Sequence, residues 1–323
     1  MQKSLRVIKR PPRDRGRLEG LIGRISIGIE ATSYLHVGSG RELGLTMKEE
    51  EIRRILERHG GITERAISEV KFKEGYVDFY RGGGRPIIPG ASVKGNVRSR
   101  IELSFRAKDG EIRSCFNKAG RLFTVPRKGQ RGWRHYRIWG DVIMDDRGPS
   151  CDLNRSDRVC LVCDLFGTAG LKSLVEFSDF ILKEGKLDEL NLGYGMRVLA
   201  APQGSVFYGL VDFMNLKPEE LGLIFLGMGL KESRIGREVL LGRMKYRGEI
   251  SGLRLGKVRY RLEGFYLSEF SERLDLDGFT LEPGSSIEGE KLDELVKSLT
   301  SKALETYKDE FEMVDEVGIS EGL

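Results

Sequence analysis

Apolar and polar residues alternate with period two in several stretches of this chain, as they do in a strand that buries one face. The first stretch, Leu21 to Tyr34, carries Ile25, Ile27, Ile29 and Ala31 and ends at the glycine-rich turn His36-Val37-Gly38-Ser39-Gly40. The second, Ser173 to Leu182, carries Val175, Phe177 and Phe180. In the third, Gly204 to Met214, one side takes Val206, Tyr208, Leu210 and Asp212 and the other Phe207, Val211 and Phe213. Leu255 to Leu267 is the fourth. Helical patterns lie between them. Ser92 is placed to N-cap a helix from about Val93 to Arg106. Pro218 falls in the first turn of an apolar helix, Lys217 to Leu230. Glu49 to Arg58 is a short charged helix, Ala66 to Phe79 an extended segment, and Glu288 to Met313 a long amphipathic helix.

The core elements therefore run strand, helix, strand, strand, helix, strand. That order predicts an α+β fold with a ferredoxin-like (RRM-like) sheet. Residues 107–165 have weak periodicity, many basic residues and all four cysteines, so we expect an insertion folded around a metal. The expected organisation is a basic N-terminal arm at 1–20, a main domain at 21–268 that includes this insertion, and a helical C-terminal extension at 269–323.

Composition narrows the class. With 39% hydrophobic and 32% charged residues, the 323-residue chain reads as a folded soluble protein. Its net charge of +5 is modest, but the distribution is uneven. Lys3 to Arg24, Arg121 to Arg137 and Arg234 to Arg259 are basic, whereas the chain from Glu282 onward is mostly acidic. Separated basic clusters suit a nucleic-acid groove. Four cysteines are too few for a disulfide framework. The N-terminus lacks a signal-like apolar segment, and no apolar run approaches membrane length, so the expected compartment is the reducing cytoplasm, with no membrane partner.

The candidate chemistry is concentrated in four places. Cys160-x-x-Cys163 supplies two ligands from one tight turn, and Cys151 returns as a third. A structural zinc ion needs a fourth. His135 is preferred because it closes a shorter loop, with Cys115 as the alternative. In Pro89-Gly90-Ala91-Ser92-Val93-Lys94-Gly95, glycines before a helix would let backbone N–H groups approach a phosphate, and Lys94 and Arg98 share a helix face. Leu241 to Val258 interleaves glycines with Arg243, Lys245, Arg247 and Lys257, the composition of a pliant loop able to follow a sugar–phosphate backbone. Finally, His36 lies in a His-x-Gly-x-Gly turn, where a hydrogen-bonding or phosphate-contacting role is expected. Neither a Ser-His-Asp arrangement nor a carboxylate pair for catalysis stands out.

Taken in this order, these segments resemble the RAMP superfamily of CRISPR proteins, and more narrowly a backbone subunit of a type III effector complex. The match is carried by His36 to Gly40, by Ile88-Pro89-Gly90-Ala91-Ser92-Val93-Lys94-Gly95, by Cys160 to Gly167 with Glu176-Phe177-Ser178-Asp179, and by Gly242 to Val258, over roughly residues 21–268. The resemblance implies an RRM-like palm, a β-hairpin thumb, and copies stacked along a CRISPR guide RNA with target RNA and other subunits. It implies guide contacts from His36, Ser92, Lys94, Arg98, Arg243, Lys245, Arg247 and Lys257. In two respects the chain departs from the family, the first being a glycine-rich loop longer than the usual form. The type III aspartate that cuts target RNA with a divalent metal lies in the loop after the first strand, and no aspartate occurs here between Gly40 and Val77. Glu69 and Asp78 are the nearest acidic candidates for a metal-dependent endoribonuclease. The alternatives to a guide-binding subunit are an endoribonuclease, either cutting target RNA through Asp78 or Glu69 or processing guide RNA through His36, and a zinc-stabilised interaction module.

Overall fold

The computed structural model describes residues 4–43, 49–69, 76–116, 124–193 and 196–323. The chain begins β1 (Arg6–Val7), β2 (Leu21–Ala31), β3 (Gly38–Leu43), α1 (Glu49–Arg58), α2 (Glu64–Glu69), β4 (Tyr76–Phe79), β5 (Arg81–Gly82), β6 (Arg85–Ile88) and α3 (Gly90–Ser104). It continues through β7 (Glu111–Ile112), α4 (Trp133–Trp139), α5 (Leu161–Phe166), β8 (Val175–Phe177), β9 (Phe180–Glu184), β10 (Asp188–Asn191), β11 (Arg197–Ala200) and β12 (Val206–Leu216). The last third holds α6 (Pro218–Met228), β13 (Ile235–Leu240), β14 (Lys257–Leu267), β15 (Leu274–Leu276), β16 (Phe279–Leu281), β17 (Ser286–Ile287), α7 (Lys291–Thr306) and α8 (Glu316–Glu321).

The main sheet has the order β13-β14-β2-β12-β9-β6-β5, with β8 also on β12 and β17 on β14. β14, β2 and β12 are long and mutually antiparallel, and they carry the period-two pattern read from the sequence. Ile25, Ile27 and Ile29 of β2, Phe207 and Val211 of β12, and Val258, Tyr260 and Leu262 of β14 point into one core. The helices α3, α6 and α7 pack on that face. Pro218 opens α6 as expected, and the Glu220 carboxylate accepts the Lys217 N–H at 2.8 Å. A second sheet, β10-β11-β4-β3, joins the β10–β11 hairpin to the strands that follow His36.

Several boundaries differ from the pattern. Ser173 to Leu182 is two strands, because the chain turns at Ser178-Asp179 and the Asp179 carboxylate accepts the Gly90 N–H at 2.9 Å. This contact also moves the start of α3: the N-cap position is Pro89, and Ser92 lies exposed inside the first turn. Gly90 is required by packing, since a Cβ there would come 2.1 Å from the Phe177 carbonyl oxygen. Ala66 to Phe79 is partly helix α2 and partly strand β4, its residues 70–75 lying outside the described ones, as do 121–123 of the second basic cluster. The amphipathic C-terminal helix stops at Thr306; a residue of positive φ, Asp309 at 38°, then redirects the chain into α8.

The N-terminal segment is a strap laid across the insertion. β1 pairs in parallel with β7, and Arg10 and Val159 exchange backbone hydrogen bonds at 2.9 Å. Arg13 donates to the Asp164 carboxylate at 3.0 Å and to that of Glu220 at 2.6 Å, while Arg15 donates to Asp164 at 2.7 Å. These arginines, read from composition as part of a basic arm, are spent on half-buried ion pairs. No helix among the described residues is long and apolar enough to cross a membrane.

Candidate metal centre and nucleic-acid interface

The sulfurs of Cys115, Cys151, Cys160 and Cys163 all lie within 4.8 Å of one another, and all four residues are buried. Cys115 Sγ is 3.4 Å from that of Cys163 and 3.7 Å from that of Cys160. Tetrahedral zinc–thiolate bonds of about 2.3 Å set the sulfurs about 3.8 Å apart, so the cluster has the dimensions of such a site. Local folding explains the arrangement. Cys160 caps α5 and accepts the Cys163 N–H at 3.4 Å, and the Cys160 N–H in turn points at Cys151 Sγ, 3.3 Å away. Hydrogen bonding among the thiols holds Cys151 low and pushes Cys115 and Cys160 up. Four soft sulfur donors suit zinc.

The fourth member of the cluster differs from the expected ligand. His135 lies on α4 with its ring 4.7 Å from that of Tyr246, and Cys115 completes the sulfur cluster. Loop length was a poor guide because each doubling costs only about 0.6 kcal/mol. The β1–β7 pairing fixes Glu111 and Ile112, and the Cys115 N–H then points at Cys160 Sγ, 3.5 Å away. Burial lowers the His135 pKa to about 4.

The residues expected to face a phosphate backbone fall into two groups. Ser92, Arg243 and Arg247 are exposed, and Lys94 is half-buried with its pKa lowered by burial and by Arg98. The rest have other employment. Arg98 donates to Glu102 at 2.8 Å, to the Gly167 carbonyl at 2.7 Å and to Cys163 Sγ at 3.2 Å. Lys257 pairs with Glu321 at 3.0 Å and Glu238 at 3.7 Å. Lys245 is tucked under its own loop, where burial lowers its pKa to about 8. His36 is fully buried: Nδ1 is 2.7 Å from the Leu199 carbonyl oxygen, and Nε2 has no hydrogen-bond partner. Burial keeps its imidazole neutral by lowering the pKa. The turn instead serves as a seat. The Arg243 N–H donates to the His36 carbonyl at 2.9 Å, and at Gly242, with φ of +88°, a Cβ would lie 2.7 Å from that oxygen.

The two acidic candidates are separated. Glu69 pairs with Arg58 at 3.2 Å and His59 at 2.9 Å on the α1–α2 unit. Asp78, on β4, accepts from Arg81 at 3.3 Å; its other oxygen is buried without a partner, and its charge acts on His36. Sequence patterns missed Asp179 and Asp164, whose roles depend on contacts 89 and 149 residues distant. They also missed Arg134 and Arg254, which line a small cavity under the basic loop.

Among solved structures, the chain is similar to the crystal structure of Thermofilum pendens Csc2, with 16% identity and a TM-score of 0.36 over 96% of this chain and 82% of that one. It is also similar to a chain of a Type IV-B CRISPR complex, with 10% identity and a TM-score of 0.38 over 74% of this chain and 90% of that one. No curated protein matches. The family model of the RAMP superfamily matches residues 28–312, nearly the whole of the folded chain, and the protein belongs to that superfamily.

Proposed function

We propose that this chain is a guide-RNA-binding backbone subunit of a type III CRISPR effector complex. The observation that carries this function is the docking of the glycine-rich loop on the His36 turn, which fixes Arg243 by its backbone and leaves Arg243 and Arg247 exposed. An arginine fork on a glycine-supported backbone holds phosphate oxygens without reading bases, as a carrier of variable guides requires. The order β14-β2-β12-β8, with α3 and α6 packed together on one face, supports a ferredoxin-like (RRM-like) core. The β10–β11 hairpin supports a thumb. Zinc at Cys115, Cys151, Cys160 and Cys163 would tie the insertion together and supply folding energy. Target RNA, further subunits and other copies of the chain are the proposed partners.

Binding of the purified protein to single-stranded RNA of guide length, measured across a salt series, tests this. Wild type should bind with a steep negative slope of log affinity against log salt, and each of Lys94→Ala and Arg243→Ala should reduce that slope by about 1. Binding insensitive to salt, or absent, rejects it. A second function, RNA cleavage with a divalent metal, is favoured by one observation: the partnerless Asp78 oxygen beside His36. Cutting that is lost in Asp78→Asn while RNA binding persists would establish it.

A further inference from the structure

The structure assigns a phosphate-binding seat to Arg134 and Arg254, together with Arg247 and Lys257, and makes the C-terminal end of α8 its internal occupant. This rests on the RNA-binding function proposed above and adds to it both new contact residues and a competing segment of the chain itself. Arg134, Lys245, Arg247, Arg254 and Lys257 line one cavity, and Glu321 is the only carboxylate among its lining residues. Glu238 is nearby, 3.7 Å from Lys257, and Glu316 faces Lys245 from the other end of α8. Among the described residues, no carboxylate pairs with Arg134, Arg247 or Arg254. The cavity lining therefore carries more positive charge than its one carboxylate offsets.

The end of α8 supplies acceptors to it. Arg134 donates to the Ser320 carbonyl at 2.7 Å, Arg254 to the Glu321 carbonyl at 3.4 Å, and Lys257 to the Glu321 carboxylate at 3.0 Å. A helix's last carbonyls carry partial negative charge, so these oxygens occupy positions that phosphodiester oxygens would fill. The enclosed space beneath them is about 20 Å³, room for one water and too little for a phosphate. An entering phosphate must therefore displace the tail. The two ends of α8 are built for that difference. Glu316 is anchored in the core by Arg100 and the Leu240 N–H, both within 2.9 Å, whereas Glu321 is half-exposed.

The test compares wild type, Glu321→Gln and a chain ending at Ile319, which keeps Glu316, for binding to single-stranded RNA of guide length, with melting followed in parallel. Both variants should bind about 3- to 10-fold tighter than wild type near 50 mM salt, with the gap closing as salt rises. Arg134→Ala placed in the Glu321→Gln background should remove most of the gain. If wild type binds RNA and neither variant binds more tightly, or if Arg134→Ala leaves the gain intact, the seat is wrong while the RNA-binding function stands. Should no form bind RNA, both fall together.

Discussion

At the scale of single residues, neither Arg98 nor His135 takes the role its position suggests. Lys94 and Arg98 share a face of α3, but by Arg98 that face has turned inward onto Cys163 Sγ and the Gly167 carbonyl. Outer partners of this kind orient metal ligands and tune their affinity. Arg98→Met should therefore weaken zinc binding by about 10- to 100-fold in a chelator competition, with Arg98→Lys intermediate. The ligand set itself is open to a direct count. Cys115→Ser should lose the four-thiolate absorption of the cobalt-substituted protein, and His135→Ala should keep it together with one bound metal per chain. A histidine-containing spectrum in wild type would reverse that assignment.

Elements show what a pattern can and cannot carry. The strands β2, β12 and β14 were legible because alternate side chains of a half-buried strand must differ, and that difference is written residue by residue. The capping of α3 by Asp179 was not, because no local rule links positions 89 residues apart. The cysteines announced a cluster able to hold a metal, yet spacing could not choose between Cys115 and His135 when the competing loops differ so little in closure entropy. The docking of α8 was equally hidden. Its Glu316 meets Arg100 at 2.8 Å with both side chains almost fully buried. Glu316→Gln leaves that guanidinium without its counter-charge and should cost about 3 to 5 kcal/mol of unfolding free energy in denaturant titrations. The double change Arg100→Leu with Glu316→Leu should cost less than the sum of the two single changes, since no lone charge is left behind.

For the whole molecule, the buried His36 and the partly buried His135 set a response to acid. The folded-state values of His36 and His135 lie below that of an unfolded histidine, so as pH falls the unfolded chain takes up protons first. Their contribution to stability is therefore complete above about pH 6.5 and is lost as pH falls through the folded values, which for His135 means down to about 4. For His135 the loss is at most about 3 kcal/mol, reduced by its partial exposure. His135→Phe, which keeps an aromatic ring against Tyr246, should flatten the fall of melting temperature between those limits; an unchanged slope would show that other groups control it.

The strap at the N-terminus also bears on the order in which the chain can be completed. Arg13 finds Glu220 across 207 residues of sequence. During synthesis this segment emerges well before Glu220. Contacts of such long range form slowly, because the intervening chain must be closed first. The cysteine knot has all its ligands by Cys163 and can take up metal well before Glu220 exists. Metal capture can thus precede closure of the strap, which makes the strap a latch fastened over a finished knot.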